Sequence, residues 1–525
     1  MSSNESSAAR PARRGLAAAA LLALFTAAFA QFLQNNRYPF FYHPDEYGKA
    51  KQIVDGTKSF NFNHPLLLLN AARPLKSFQG KNGADSKPVK LQKATEAGRT
   101  ASALFAALAV VALAAAGWHL AGPGGAIGVA IVTLFQPMLF EHAHIFKEDT
   151  ALTMGLALTV LATAAFWKKP ASGKRAIFLG VAVALAVSGK YVGLTALVLA
   201  VPVILFAPGE NRARRLGYFA AAFAAGFVIC NAQVFTHLGL WRESFGREVG
   251  YSLKGQHGLI ALDSATYYRQ LFSGAFSKIA VVFLALNALN LATTARRRSL
   301  ADWLIFLFPF AFTAMLMASP RVSDRYFLPA AVLFNFNALA GVAMSAEWFT
   351  RAFGKFRCAG QCVLIALALY VGWSGQFGRF RATAAEFKSD DRRELETWMN
   401  ENLPAGARVV QDEAIHLPDP DDHKQEGMER AFKHTVTTRE FVADLGTLAE
   451  LRTQGVRYVA TSPKKSRRYT DGAMMPSDAV KDEFERRKAF YSALPQQAKL
   501  LKQWGIAEID TLHPGIELYD IGAGQ

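Results

Sequence analysis

The stretch Thr100–Trp118, "TASALFAALAVVALAAAGW", runs for 19 residues without a single charge. That is close to the roughly 20 apolar residues a helix needs to cross a bilayer. Similar blocks recur along the chain, among them "GLAAAALLALFTAAFAQF" from Gly15 and "IAVVFLALNALNLA" from Ile279. With 525 residues, 51% of them hydrophobic and only 19% charged, the composition is that of a membrane protein. Hydropathy places about eleven spans, at 16–33, 100–118, 124–140, 150–167, 175–189, 191–207, 216–233, 276–294, 301–318, 326–345 and 359–376.

The basic residues orient these spans. Arg10, Arg13 and Arg14 precede the first, and Lys168, Lys169, Lys174 and Arg175 share one short connection. Arg212, Arg214 and Arg215, then Arg296, Arg297 and Arg298, then Arg351, Lys355 and Arg357 follow in others. Alternating passage puts all five clusters on one side, which the positive-inside rule makes the cytoplasm, with the N-terminus there. These clusters hold 16 positive charges against a formal net charge of +17, so topology accounts for the basic balance and nucleic acid is not an expected partner. An alternative reading makes the first span a cleaved signal peptide, since "AFA" at 28–30 resembles a small-residue cleavage site. Three cysteines, Cys230, Cys358 and Cys362, supply neither a disulfide framework nor zinc spacing.

Residues 1–377 thus form the membrane domain, with an outer loop at 34–99 holding juxtamembrane helices. Residues 378–525 are charged and alternate helical and β-rich runs, which predicts a small exported α/β domain. "SDDRRELETWMNENLPAG" reads as a helix with Ser389 as N-cap and Pro404 to Gly406 as its stop, and "ARVVQD", "VRYVATS" and "GIELYDI" read as strands. The loop "LPDPDDHKQEG" (417–427) reads as solvated, with a cation site as the alternative.

On the outer side the distinctive polar groups collect in four loops. "FYHPDEYGKAKQI" (41–53) carries His43, Asp45 and Glu46, and "EHAHIFKEDTALTM" (141–154) carries His144, Lys147, Glu148 and Asp149. "SGKYVGL" carries Lys190 and Tyr191, and "SPRVSDRYFLP" carries Arg321, Asp324, Arg325 and Tyr326. Ionisable groups at membrane edges are costly unless paired or wet, so four such loops on one face predict a shared polar cavity. Its carboxylates suit proton acceptance from a hydroxyl, and its lysines and arginines suit a phosphate. Taken singly, each has a plainer reading: acids at a helix N-terminus, structural ion pairs, a snorkelling lysine, flanking charges. His142 and His144 leave a metal site open as a further alternative.

These motifs resemble the GT-C membrane glycosyltransferases, in particular the dolichyl-phosphate-mannose protein mannosyltransferase-like and aminoarabinose transferase-like branch. The matching features are "HPDE", "KEDTAL", "GKY", "RYFLP" and the start of the C-terminal domain, "WMNENLPAGARVV". The resemblance implies a GT-C fold of about eleven transmembrane helices with a small α/β domain. It implies transfer of a sugar, with inversion, from a polyprenyl-phosphate donor to a hydroxyl on a lipid, glycan or protein at the outer face of the cytoplasmic membrane. Asp45 becomes the general base, Glu46 its neighbour in orienting or sharing that role, and Asp149 the second acid. Lys190, Arg325, Lys147 and Arg321 would meet the donor phosphate, with His43, His64, His144, Glu148, Tyr191 and Tyr326 lining the site. Glu46 is expected to couple to Asp45 and raise its pKa. The resemblance fixes no cofactor and leaves a divalent cation open. A transporter or flippase of lipid-linked sugars and a cation-dependent oligosaccharyltransferase-like enzyme are the competing functions.

Overall fold

The computed structural model describes residues 9–36, 43–56, 61–78, 85–209, 211–254, 259–261, 263–293, 299–350, 354, 356–419, 432–506, 509 and 512–522. Arg296–Arg298, Arg351 and Lys355 of the basic clusters lie outside these residues, as does the 420–427 part of the solvated loop.

The helices run in the order α1 (Ala9–Phe32), α2 (Pro44–Val54), α3 (Leu67–Phe78), α4 (Lys87–Leu134), α5 (Pro137–Ala143), α6 (Asp149–Lys168), α7 (Gly173–Gly189), α8 (Leu197–Phe206, entered through a 3-10 turn at Tyr191–Ala196) and α9 (Arg212–Cys230). There follow α10 (Ala232–Thr236), α11 (Leu238–Lys254), α12 (Ser264–Ala275), α13 (Lys278–Thr293), α14 (Leu300–Met317), α15 (Asp324–Thr350) and α16 (Arg357–Glu386). The chain is a multi-pass membrane protein: seven described helices, α1, α4, α6, α9, α14, α15 and α16, are each long and apolar enough to cross a bilayer.

The other four of the eleven expected segments are also helical. Residues 123–134 form the second arm of α4, which breaks at Ala121 and Gly122 ahead of Pro123. Gly122 takes φ +69°, open to a residue without a Cβ, and Pro123 has no N–H to continue the ladder. The two arms fold back so closely that a Cβ on Gly117 would stand 2.9 Å from the Gly125 carbonyl oxygen. That arm ends at Leu134, short of the expected 140, and the chain re-enters a helix only at α5. α7 has 17 residues, Tyr191–Phe206 is a shorter apolar helix, and α13 is bent by 99° from α12.

Small residues let these helices approach, as membrane interfaces require in the absence of a hydrophobic drive between them. A Cβ on Gly155 of α6 would overlap Ala186 Cα of α7. Buried amides are satisfied between helices: Trp373 Nε1 donates to Asn335 Oδ1 at 2.8 Å.

Beyond α16, which continues to Glu386 past the expected boundary at 377, the chain forms the α/β domain. α17 (Asp391–Asn402) buries Leu395 and Met399. Its N-cap is Asp390, whose carboxylate accepts from Arg392 N–H, one residue later than the expected Ser389. The strands are β1 (Leu259–Ala261), in the membrane part, then β2 (Arg408–Asp412), β3 (Thr435–Arg439), β4 (Tyr458–Thr461), β5 (Met474–Pro476), β6 (Lys499–Ile506) and β7 (Pro514–Asp520). The three expected strands are β2, β4 and β7. The sheet order is β3-β2-β4-β7-β6, parallel across its first three strands and antiparallel thereafter. α18 (Leu448–Thr453), α19 (Pro463–Thr470) and α20 (Lys481–Gln497) complete the domain. β1 pairs antiparallel with β5, so main-chain hydrogen bonds tie the loop between α11 and α12 to the α/β domain.

Candidate active site

The site is organised by the first turn of α2. His43 is its N-cap: Nδ1 accepts the Asp45 N–H at 3.1 Å, while the Glu46 carboxylate accepts the His43 N–H at 3.1 Å. Pro44 at the first helical position has no N–H to satisfy. Successive helical residues are 100° apart, so Asp45 and Glu46 point to different sides. Glu46 is fully buried against a fully buried Arg99 of α4, with Nε and Nη2 at 3.0 and 3.1 Å. It also accepts Phe146 N–H at 2.7 Å. The expectation that Glu46 shares the base role with Asp45 is therefore corrected. Its oxygens are engaged by Arg99 and two backbone N–H groups, and it fastens α2, α4 and the 144–148 loop together.

Asp45 faces a cavity of about 820 Å³ and keeps 51% of its side chain exposed. It pairs with Lys147, and its Oδ2 lies 3.5 Å from His43 Nδ1. Burial pushes the Asp45 carboxyl up, but Lys147, His43 and Arg325 outweigh it and hold the group well below the usual carboxylate range. This too reverses the expectation, since no neighbouring carboxylate raises it. Lys147 is lowered to about 8, first by burial and then by Arg325, despite its pairing with Asp45. His43 is held well below 6.5 by burial and by Lys147. Arg325 Nη1 stands 2.8 Å from His43 Nε2, and its guanidinium lies 5.2 Å from the Tyr326 ring centre. Arg321 bonds Glu248 at 3.1 Å and lies 5.5 Å from the same ring. The buried Nε atoms of both arginines have no hydrogen-bond partner among the described residues.

Of the expected site residues, His43, Asp45, His64, Lys147, Arg321, Arg325 and Tyr326 line this cavity. Others stand one layer back. Lys190 binds Asp149 at 2.7 Å and sits behind Tyr326, 4.5 Å from its ring centre, so neither lines the cavity. Asp149 Oδ2 is left without a hydrogen bond among the described residues. Glu148 pairs with Lys49 and lies 3.9 Å from His64 Nε2. His64 is lowered to about 3 by burial and is neutral. Tyr191 donates to Phe62 O at 2.9 Å and accepts from Trp241 Nε1 at 3.1 Å. His144 is corrected as a lining residue: it is fully buried between Phe140 and Phe387, with its nitrogens 2.7 and 2.5 Å from the Phe140 and Gln34 carbonyl oxygens. Those contacts also remove it from any metal site with His142, and no three His, Cys, Asp or Glu side chains gather to hold a metal among the described residues.

Several lining residues were not singled out from the sequence. Lys49 lies four positions after Asp45, a helical spacing that carried the signal. Glu248 and Tyr251 come from α11, and Glu413, His416, Glu440, Lys464, Lys465 and Arg468 from the α/β domain, which forms the roof of the cavity. Nothing local in the sequence marks the roof.

Residues 90–237, which include the 144–149 loop, Lys190 and α6, match the model of the dolichyl-phosphate-mannose-protein mannosyltransferase family. That match covers part of the membrane domain, and the fold of the chain is that of the GT-C membrane enzymes. Its fold is similar to that of ArnT from Cupriavidus metallidurans bound to undecaprenyl phosphate, at 15% identity and a TM-score of 0.53, over 96% of this chain and 98% of that one. The apo state of the same protein aligns at 14% identity and 0.53, over 97% and 99%. The Archaeoglobus fulgidus oligosaccharyltransferase tethered with an acceptor peptide aligns at 13% identity and 0.48, over 92% and 72%. No curated protein matches the sequence significantly.

Proposed function

We propose that the protein transfers a hexose or pentose from a polyprenyl-phosphate donor to a hydroxyl on a lipid, glycan or protein. The reaction takes place at the outer face of the cytoplasmic membrane, with the N-terminus inside and residues 378–525 outside. One observation carries this reading: an exposed carboxylate on the cavity floor, Asp45, shares a cavity at the ends of the membrane helices with Lys147, Arg321 and Arg325. The phosphate of a donor built on undecaprenyl phosphate, the carrier lipid bound to ArnT, would sit among these cations.

Asp45 takes the proton of the acceptor hydroxyl. The acceptor oxygen attacks the anomeric carbon from the face opposite the phosphate, the sugar–phosphate bond breaks, and the phosphate leaves with the bonding electrons, giving inversion. A carboxylate held so low is a weak base, so proton transfer accompanies bond cleavage rather than preceding it. An arriving phosphate also competes with Asp45 for Lys147 and thereby lifts the carboxylate's basicity at the moment it is used. Arg325 and Arg321 stabilise the charge that grows on the leaving phosphate. Asp149 and Lys190 act from behind, fixing the Tyr326 ring.

A transporter would place its ionisable groups near the membrane midplane; here they gather at the helix ends beneath a roof. The test uses protein in lipid nanodiscs with a panel of radiolabelled undecaprenyl-phosphate sugars and extracted envelope material. Label in an extracted acceptor supports the proposal and names sugar and acceptor. Uptake of donor without cleavage of any sugar–phosphate bond would overturn it in favour of transport.

A further inference from the structure

The roof presents a second cationic group facing the first. Its source is α19, whose sequence "PKKSRRYT" carries four basic residues in eight. Tyr469 and Pro463 anchor the helix in the domain, with Tyr469 against Phe441 and Phe484. Lys464 and Arg468, four apart and so on one face, line the cavity while Arg467 is exposed elsewhere. Lys465 is nearly buried, with its ammonium 4.7 Å from the Phe441 ring centre and 3.8 Å from Glu440. Arg468 has no ion pair or hydrogen bond among the described residues. The group also reaches towards the reacting end, because the charge of Lys464 is felt at His43.

Resting on the function proposed above, we infer that Lys464, Lys465 and Arg468 form an acceptor subsite that binds a phosphate or carboxylate carried by the acceptor. The floor cations Lys147, Arg321 and Arg325 already suffice for the donor phosphate, and Lys464, Lys465 and Arg468 of α19 add three further cations to the lining of the same cavity. An acceptor whose hydroxyl meets Asp45 must extend between floor and roof, and an anionic substituent there would find an arginine lacking a partner and two lysines. A neutral acceptor would leave the Arg468 guanidinium partly desolvated with nothing gained.

The test uses the full chain in phosphatidylcholine nanodiscs saturated with undecaprenyl phosphate, titrated with glucose 1-phosphate and, as the neutral control, glucose. Wild type should bind the phosphate sugar and not glucose. In K464Q/R468Q, the phosphate-sugar affinity should fall by about tenfold or more, while undecaprenyl phosphate affinity stays within about twofold. An unchanged thermal midpoint guards against misfolding. Equal glucose 1-phosphate affinity in both proteins, or its absence in wild type, overturns the subsite. Competition by phosphatidylglycerol that the double variant relieves would assign the roof to membrane headgroups instead, and overturns it as well. Failure of wild type to bind undecaprenyl phosphate is a separate result: it removes the donor reading while roof binding is still measured.

Discussion

Asp45 and Glu46 are neighbours in sequence with opposite fates. Asp45 looks into the cavity, and Glu46 is locked on Arg99. Glu46→Gln should therefore leave the acidic limb of the pH-rate profile where it is and should instead lower stability, by about 3–5 kcal/mol, because Arg99 stays buried with the Glu46 charge gone. Denaturation of the purified variant checks this. The activity should also have an alkaline limb near pH 8. Lys147 is charged below its lowered pKa of about 8 and neutral above it, so donor-phosphate affinity falls as pH rises through that value. Lys147→Arg should move the limb upward, and an unmoved limb would exclude Lys147 as its origin. At this scale much of the floor was legible: Asp45, Lys147, Arg321, Arg325 and Tyr326 stand out as polar groups at the ends of apolar runs. Adjacency misled for Glu46, because helical geometry separates residues that the sequence places side by side.

Among the elements, the apolar segments were readable because the bilayer imposes length and composition on each span. The bend at Ala121–Gly122, which makes two spans from one long helix, falls in the gap that hydropathy leaves between 100–118 and 124–140; what sequence could not place was the early end of the second arm at Leu134, which local geometry decides. The α6–α7 seam depends on Gly155 meeting Ala186 with no room for a side chain. Gly155→Val should force the two helices apart and disturb Asp149 and Lys190, which sit at one end of the seam. A lowered thermal midpoint with reduced transfer is expected, and native stability would contradict the packing.

In the whole molecule, the cavity closes only where the α/β domain meets the membrane helices. The roof was illegible because its cations are between about 140 and 420 residues from the floor loops in sequence and join them by docking alone. The proposed orientation puts β5 and the α6–α7 connection on opposite sides. A membrane-impermeant thiol reagent applied to intact cells should label Met475→Cys and spare Ser172→Cys; the reverse pattern would invert the topology. The central claim is that Asp45 accepts the acceptor's proton as the sugar leaves its polyprenyl phosphate. It is tested most directly by comparing wild type and Asp45→Asn in nanodiscs for undecaprenyl phosphate binding and for sugar transfer from the donor that wild type consumes. The account predicts retained binding with transfer reduced at least about a thousandfold. Transfer within about tenfold of wild type would contradict it.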